Sequence, residues 1–149
     1  MKRLFVLLTV VCATLAVVPA ASAAEPIADL TGIRTSRFAT FDRVVLDLSG
    51  TKPNVDEFVT DEVTGCASGK PITVPGNQFL EVHAQPARGW NYSGSRKFST
   101  PELANVRGIA ISCDFEADLG IDIGYEKPGS AYTVSFIDDP MSVVIDIRH

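Results

Sequence analysis

The apolar residues of this chain recur with a period of two, in short runs that turn residues separate. In FDRVVLDLSG, residues 41–50, the side chains of Val44, Leu46 and Leu48 share one side and Asp47 lies on the other. SVVIDIRH, residues 142–149, closes the chain with the same arrangement. This alternation is typical of a β-strand that covers a core with one face and meets solvent with the other.

Other runs with the same alternation predict six further strands, at residues 30–37, 55–60, 79–85, 106–112, 115–124 and 132–137. Clusters of Gly, Pro, Asn and Asp separate them, as in SGTKPN, VPGNQ, EKPGS and DDP. Helical spacing extends over no long window, and TPELANV, residues 100–106, has room for one turn. We therefore expect an all-β, single-domain β-sandwich of about eight short strands.

The first 23 residues are expected to be a secretory signal peptide. Lys2 and Arg3 precede a long apolar run, and ASA at positions 21–23 is a small-residue cleavage site. The alternative is a retained membrane anchor, but the apolar run is shorter than a membrane span requires. Cleavage after residue 23 leaves residues 24–149 as one domain, with no membrane insertion, in an exported protein of the periplasm, cell wall or extracellular space.

Removal of this segment changes the formal net charge from −5 to −7, because Lys2 and Arg3 leave with it. Binding to nucleic acid needs a concentrated basic surface, so an acidic chain disfavours that class of partner.

Two cysteines, Cys66 and Cys113, remain after cleavage and are predicted to form a disulfide, as paired cysteines of exported proteins do. A bridge over this loop contributes about 4 kcal/mol through loop entropy, before any native strain is subtracted. Two buried free thiols are the alternative. Neither cysteine has a C-x-x-C partner or a histidine at metal-ligand spacing, so zinc and redox catalysis are disfavoured.

The sequence contains little that would support catalysis. His83 shares one face of a predicted strand with Glu81, as a partly solvated strand residue does, and no G-x-S-x-G motif surrounds a serine. GCASGKP, residues 65–71, differs from a phosphate loop in its glycine spacing and in having Pro71 where Ser or Thr is required. We therefore predict no catalytic residue, no metal ligand and no cofactor.

Acidic residues form a row near the last third of the chain. They occupy alternate positions, as Asp114, Glu116, Asp118 and Asp122. The favoured interpretation is a solvated strand face, because charge there keeps a sheet from pairing with another chain. A calcium site and a glycosidase-like acid pair are the alternatives, and the acid pair is the only argument for an exported hydrolase.

The segment at residues 85–103 is longer than a connection within a sandwich needs. It holds Trp90, which is the only tryptophan, with Tyr92 and Arg88 close in sequence. Aromatic faces stack on sugar rings and cations attract carboxylates, so we predict that Arg88, Trp90 and Tyr92 bind a ligand. The alternative is that Trp90 folds back over one open end of the sandwich.

Four phrases of the chain, taken in order, resemble AMIN-like domains: FDRVVLDLSG, FLEV, DFEADLGIDIG and DDPMSVVIDI. These are small β-sandwich modules related to the N-terminal domain of N-acetylmuramoyl-L-alanine amidases. The resemblance implies an exported bacterial envelope protein that is localised to the cell wall, with peptidoglycan as the partner. An amidase would carry a separate zinc-binding catalytic domain in addition, and because of this departure from the amidases we expect no enzymatic activity.

Three hypotheses for the function follow. The leading one is a cell-envelope binding module that contacts peptidoglycan or another cell-wall glycan. The second is a secreted interaction protein or accessory subunit that docks on another exported envelope protein. An exported hydrolase is the third.

Overall fold

The computed structural model describes residues 26–149, so the predicted signal peptide at residues 1–23 lies outside the described residues. Ten strands form two five-stranded sheets in a sandwich, and this part of the chain contains no helix. The strands are β1 Ala28–Arg37, β2 Phe41–Gly50, β3 Asn54–Thr60, β4 Gln78–Gln85, β5 Ala87–Arg88, β6 Lys97–Ser99, β7 Val106–Phe115, β8 Asp118–Tyr125, β9 Tyr132–Asp138 and β10 Met141–Arg148. The predicted all-β sandwich is confirmed.

The first sheet has the strand order β5-β1-β2-β10-β9, and the second has the order β3-β4-β8-β7-β6. Neighbouring strands are antiparallel, apart from β5, which pairs with β1 in parallel. From residue 26 to the end of the chain, no helix has the length and apolar character of a membrane span.

The two similar phrases at the start and end of the domain are neighbours at the centre of the first sheet. In the pairing of β2 with β10, Leu46 lies opposite Val143 and Val44 lies opposite Ile145. All four side chains are at most 1% exposed, because they point into the space between the sheets. The predicted core face of both strands is therefore confirmed, and their similarity reflects equivalent positions on either side of one strand pair.

Asp47 and Asp146, one from each phrase, lie on the outer face of the first sheet, where each is paired with an arginine. Arg43 donates two hydrogen bonds to Asp146, at 2.7 and 2.8 Å, and Arg34 donates two to Asp47, both at 2.7 Å. Bidentate pairs of this geometry are the specific kind of carboxylate contact that a guanidinium makes. These cross-strand pairs connect β1, β2 and β10 on the solvent side.

The strand predicted over residues 115–124 is wrong at its start. β7 continues to Phe115, and a two-residue turn at Glu116 and Ala117 leads into β8. Both turn residues have a positive φ, of 51° and 63°, as the right-handed twist of a tight hairpin requires. Neither is Gly, Asn or Asp, so the sequence carries none of the usual evidence for this turn.

The long segment at residues 85–103 contains the two strands that the sequence did not predict. β5 extends the first sheet and β6 extends the second, so this segment contributes an edge to each. TPELANV forms a turn and no helix, in which the amide of Leu103 donates to the carbonyl of Thr100 at 3.2 Å.

One end of the sandwich is held by the buried side chain of Asp42, at the start of β2. Its carboxylate accepts hydrogen bonds from the backbone amides of Ala104, Asn105 and Val106, at 3.1, 2.6 and 3.0 Å. These amides lead into β7, which belongs to the other sheet. Three amide donors satisfy a carboxylate that would be costly to bury alone, so Asp42 joins the two sheets.

The side chain of Asn105, which is also buried, extends this connection. Its amide nitrogen donates to the carbonyl of Arg148 at 2.6 Å and to the hydroxyl of Ser130 at 2.9 Å. Its amide oxygen accepts from the backbone of Glu126 and Lys127, at 3.1 and 2.9 Å. The end of β10 and the β8–β9 connection are thereby attached to the same point.

The predicted disulfide between Cys66 and Cys113 is present, with an S–S distance of 2.07 Å. It attaches residues 61–77, here called the covering segment, to β7 of the second sheet. Val63 and Val74 of this segment pack with Ala110 to form a small second core on the outer face of that sheet. The bridge therefore holds a layer that the sandwich itself does not contain.

Candidate functional site

Trp90 lies just after β5 and is 74% exposed, the largest exposure among the large apolar side chains between residues 26 and 149. It does not fold back over an open end of the sandwich. An indole that remains in solvent leaves its apolar surface uncovered, whereas folding ordinarily covers such surface. Trp90 is therefore a candidate centre for a binding site.

Arg88 is held in place beside the Trp90 ring by an ion pair. Its guanidinium donates to both carboxylate oxygens of Asp29, at 2.6 and 3.2 Å, across the parallel pairing of β5 with β1. The guanidinium carbon lies 4.9 Å from the centroid of the Trp90 ring, a cation–π distance. The hydrogen bonds to Asp29 raise the pKa of Arg88, and the bond from Arg88 lowers the pKa of Asp29.

Asp114, at the end of β7, attaches the backbone beside Trp90 to the β7–β8 hairpin. One carboxylate oxygen accepts from the amide of Gly89 at 2.9 Å, and the other accepts from Arg96 at 2.9 Å. The amide of Ala87 also donates to the carbonyl of Ala117 in the hairpin turn, at 2.8 Å. The segment that carries Trp90 is thus held from both sides by hydrogen bonds.

These elements enclose a surface pocket of about 280 Å³, here called the Trp90 pocket. Its lining residues are Ile27, Arg88, Trp90, Asp114, Glu116 and Ala117. Two separate sequence features meet here, since the long segment supplies the ring and the acidic row supplies two carboxylates. Glu116 is exposed and makes no hydrogen bond or ion pair within residues 26–149, so its carboxylate faces solvent.

Tyr92 does not line the Trp90 pocket. Its ring is half-buried against the main core, and its hydroxyl donates to the carbonyl of Ser95 at 3.3 Å. Burial raises the pKa of this hydroxyl. The structure therefore brings Arg88 and Trp90 together, and it places Tyr92 where it supports the fold of the segment.

The acidic row is not a single strand face, because the hairpin turn divides it. Asp114 and Glu116 lie at the Trp90 pocket, whereas Asp118 and Asp122 lie on β8. The interpretation as a solvated face is wrong for Asp122, which is 0% exposed. Among residues 26–149, no group of three or more His, Cys, Asp or Glu side chains has an arrangement that would hold a metal ion.

A polar cluster on the outer face of the second sheet was missed by the sequence analysis. His83 is hydrogen-bonded through Nδ1 to Asp118 at 2.8 Å and through Nε2 to Glu81 at 2.7 Å, and the ring of Phe58 stacks on it at 5.6 Å. Burial lowers the pKa of His83, but the two carboxylates outweigh that effect and raise it overall. Sequence alternation indicated that Glu81 and His83 share a face, but it did not show that Asp118 lies beside them.

Asp122 is the buried acid of this cluster and lies directly opposite Glu81 in the pairing of β8 with β4. Neither of its carboxylate oxygens has a hydrogen-bond partner in the described part of the chain. Burial raises its pKa to about 6; the hydroxyl of Ser112 and the charge of His83 act against that rise, and the charge of Glu81 adds to it. A carboxyl group in these surroundings favours its protonated form.

The first prediction concerns Asp122→Asn. The folded protein retains a proton on Asp122 between pH 3.8 and about 6, where the unfolded chain releases it, so its stability falls as pH rises through that range. Because the pKa of His83 is also raised, its ionisation likewise makes the stability of the folded protein fall as pH rises, at higher pH than for Asp122. The asparagine cannot ionise, so at pH 7.5 the variant should be more stable than the parent by up to about 3 kcal/mol.

Urea unfolding at pH 4 and pH 7.5 measures this difference, which should disappear at the lower pH. Glu102→Gln, at an exposed acid elsewhere, is the matched control and should leave the pH dependence unchanged. A loss of stability in Asp122→Asn at pH 7.5 would show that the charged form is the stabilised one and would contradict this account.

Comparison with known proteins gives one match. The model of the AMIN-like domain family matches residues 28–149, a range that includes all ten strands and every residue of the Trp90 pocket except Ile27. No curated protein and no solved structure matches the chain. The resemblance found in the four phrases is thereby confirmed. The chain belongs to the AMIN-like domain family, whose members are typically non-catalytic modules of cell-envelope proteins.

Proposed function

We propose that this protein is an exported envelope module that binds peptidoglycan or another wall glycan at the Trp90 pocket. The observation that carries the proposal is the exposed indole of Trp90, beside a pocket in which Asp29 holds the side chain of Arg88 and Asp114 holds the backbone amide of Gly89. Membership of an envelope-associated family supports the compartment and the class of ligand.

The chemistry of the pocket suits a sugar ring. The flat face of the Trp90 indole offers an apolar surface on which the C–H groups of a pyranose pack. Arg88, Asp114 and Glu116 around it supply a donor and acceptors for hydroxyl groups, as polar groups at the margin of an aromatic pocket fix the orientation of a ligand. A glycan chain therefore finds stacking and hydrogen bonding together here.

The charges of the pocket favour a neutral ligand over an anionic one. Both arginines of the segment, Arg88 and Arg96, already form ion pairs with Asp29 and Asp114. The carboxylate of Glu116 adds a further negative charge that has no partner in the described residues. We therefore propose contact with the sugar backbone, in place of the cation-to-carboxylate contact that the sequence suggested for Arg88.

The anchoring of the segment lowers the cost of binding. The ion pair with Asp29 holds the guanidinium of Arg88, and a hydrogen bond to Asp114 holds the backbone amide of Gly89, before any ligand arrives. Ordering of loops and side chains on binding reduces affinity, so a site that is already ordered retains more of its contact energy. Tyr92 contributes to this order through its packing against the core, which is the binding role that we propose for it.

Export is part of the proposal. Residues 1–23 act as the signal peptide, and the mature domain begins at Ala24 or Glu25. The disulfide between Cys66 and Cys113 supports this, because such bridges persist in oxidising compartments.

Intact-mass measurement on supernatant and envelope fractions tests export and the disulfide together. The expected species starts at Ala24 or Glu25 and lacks two hydrogens relative to the reduced chain. Reduction followed by alkylation should then label two cysteines, Cys66 and Cys113. Full-length protein in the membrane fraction, or two thiols that react before reduction, would contradict the corresponding part of the proposal.

Replacement of Trp90 by Ala tests the binding site. The binding free energy of the mature protein for purified peptidoglycan, measured by co-sedimentation, should become less favourable by about 1 to 3 kcal/mol, as for loss of a central aromatic anchor. The thermal unfolding midpoint should hardly change, because the ring makes little contact with the core. Trp90→Phe should keep part of the affinity, since it retains an aromatic face.

Phe38→Ala is the matched control, because Phe38 is also an exposed aromatic residue but lies in the β1–β2 turn. It should sediment like the parent protein. Unchanged binding of Trp90→Ala, or an equal loss in Phe38→Ala, would remove the Trp90 pocket as the site.

A further inference from the structure

The second sheet ends in an edge strand, β3, that no other element covers within the described residues. β3 pairs only with β4, so its other side carries backbone groups that have no strand partner within residues 26–149. It has seven residues, no proline, no glycine and no bulge, and Phe58 and Val59 are 48% and 43% exposed. Proteins usually protect such an edge, because it is a template for pairing with another chain.

A groove of about 190 Å³ runs beside this edge, between β3 and the strands β9 and β10 of the other sheet. Its lining residues are Val55, Glu57, Val134, Ser135, Phe136 and Val143. β9 is likewise the last strand of its own sheet. The apolar inner face of the sandwich is therefore incompletely covered along this side.

Glu57 is the only ionisable side chain in the lining of this groove. In the pairing of β3 with β4 it lies opposite Val82, a core residue, so it points toward the inner side of the sandwich. It makes no hydrogen bond or ion pair within the described residues. An inward charge of this kind prevents indiscriminate strand pairing, and it selects for an incoming strand that carries a cation.

The residues around Glu57 in sequence are also negatively charged. Residues 54–69 contain Asp56, Glu57, Asp61 and Glu62 and no Lys, Arg or His. In a symmetric antiparallel pairing with a second copy of β3, Glu57 at the centre of the strand would lie opposite its own copy, and like charges directly opposite are destabilising. A basic partner is favoured over a second copy of this chain.

At the end of the groove, a lysine of this protein already contacts an aromatic ring and a carboxylate. The ammonium group of Lys52 lies 4.2 Å from the centroid of the Phe136 ring and donates to Asp138 at 2.8 Å. An aromatic face and a carboxylate thus already hold one lysine at this side of the sandwich.

We propose that the β3 edge docks an extended segment of another polypeptide, one face of which is apolar apart from a single basic residue. The segment adds to β3 as a sixth strand of the second sheet, with main-chain hydrogen bonds to the free edge. Its apolar side chains cover Val55, Val134 and Phe136, and a basic side chain pairs with Glu57. This surface is separate from the Trp90 pocket, so the protein binds a wall glycan and a protein segment at two places.

The test uses a fluorescein-labelled nine-residue peptide, here called the valine–lysine peptide, with threonine at every second position and valine at the others except for one central lysine, so that the valines and the lysine share one face. We expect saturable binding by fluorescence anisotropy, together with slower hydrogen exchange at the backbone amides of Asn54–Thr60. The same peptide with glutamate in place of lysine should bind at least tenfold more weakly. A version with prolines at alternate positions should not bind, because it cannot complete the strand ladder.

Glu57→Lys should weaken binding of the valine–lysine peptide at least tenfold. The variant should instead prefer the peptide in which glutamate replaces lysine. Glu102→Lys, which makes the same charge change beyond the opposite edge strand β6, is the matched control and should bind like the parent. Peptidoglycan sedimentation should be unchanged in Glu57→Lys, which separates this proposal from the role of Trp90.

Three outcomes would overturn the proposal. The first is no binding of the valine–lysine peptide at millimolar concentration. The second is an equal loss of binding in Glu57→Lys and Glu102→Lys, which would indicate general charge attraction. The third is concentration-dependent self-association in sedimentation velocity that Glu57→Lys alters, which would make a second copy of the chain the occupant.

Discussion

The buried carboxylate of Asp42 is the interaction on which the arrangement of the two sheets depends. It begins a strand of the first sheet and accepts three amides that lead into β7 of the second, while Asn105 attaches the end of β10 and the β8–β9 connection. A core of aliphatic side chains tolerates substitution and small shifts in packing. The directional hydrogen bonds of Asp42 add a stricter constraint, because a shift of one sheet would leave a buried carboxylate without its donors.

The Trp90 pocket lies at the other end of the sandwich from Asp42. In the pairing of β1 with β2, Asp42 is opposite Arg37 at one end, and Ala28, which pairs with β5, is opposite Gly50 at the other. The same separation holds along the β7–β8 hairpin, whose open end meets Asp42 and whose turn meets the pocket. One end of the domain is therefore closed by buried polar contacts, and the other presents an uncovered aromatic ring on an anchored backbone.

Much of this fold could be predicted from the sequence, because strands with one buried face leave a period of two in the apolar residues. The pairing partners could not, since alternation shows which face is buried but not which strand lies beside it. The hairpin turn at Glu116 and Ala117 was missed because neither residue is a usual turn former, and the alternation continues through it. At the site, the length and aromatic content of residues 85–103 indicated Trp90. The partners of Arg88 and Asp114 come from strands distant in sequence, so the ion pairs that neutralise the arginines were not predictable.

The central claim is that an anchored, exposed Trp90 makes one end of this AMIN-like sandwich a glycan-binding surface. A titration of ¹⁵N-labelled mature protein with soluble peptidoglycan fragments, followed by two-dimensional NMR, tests it most directly. The account predicts that shift changes concentrate in the indole N–H of Trp90 and in the backbone amides of residues 87–91 and 114–117. The amides bound to Asp42 should not shift. Changes confined to other surfaces, or none at saturating fragment, would contradict it.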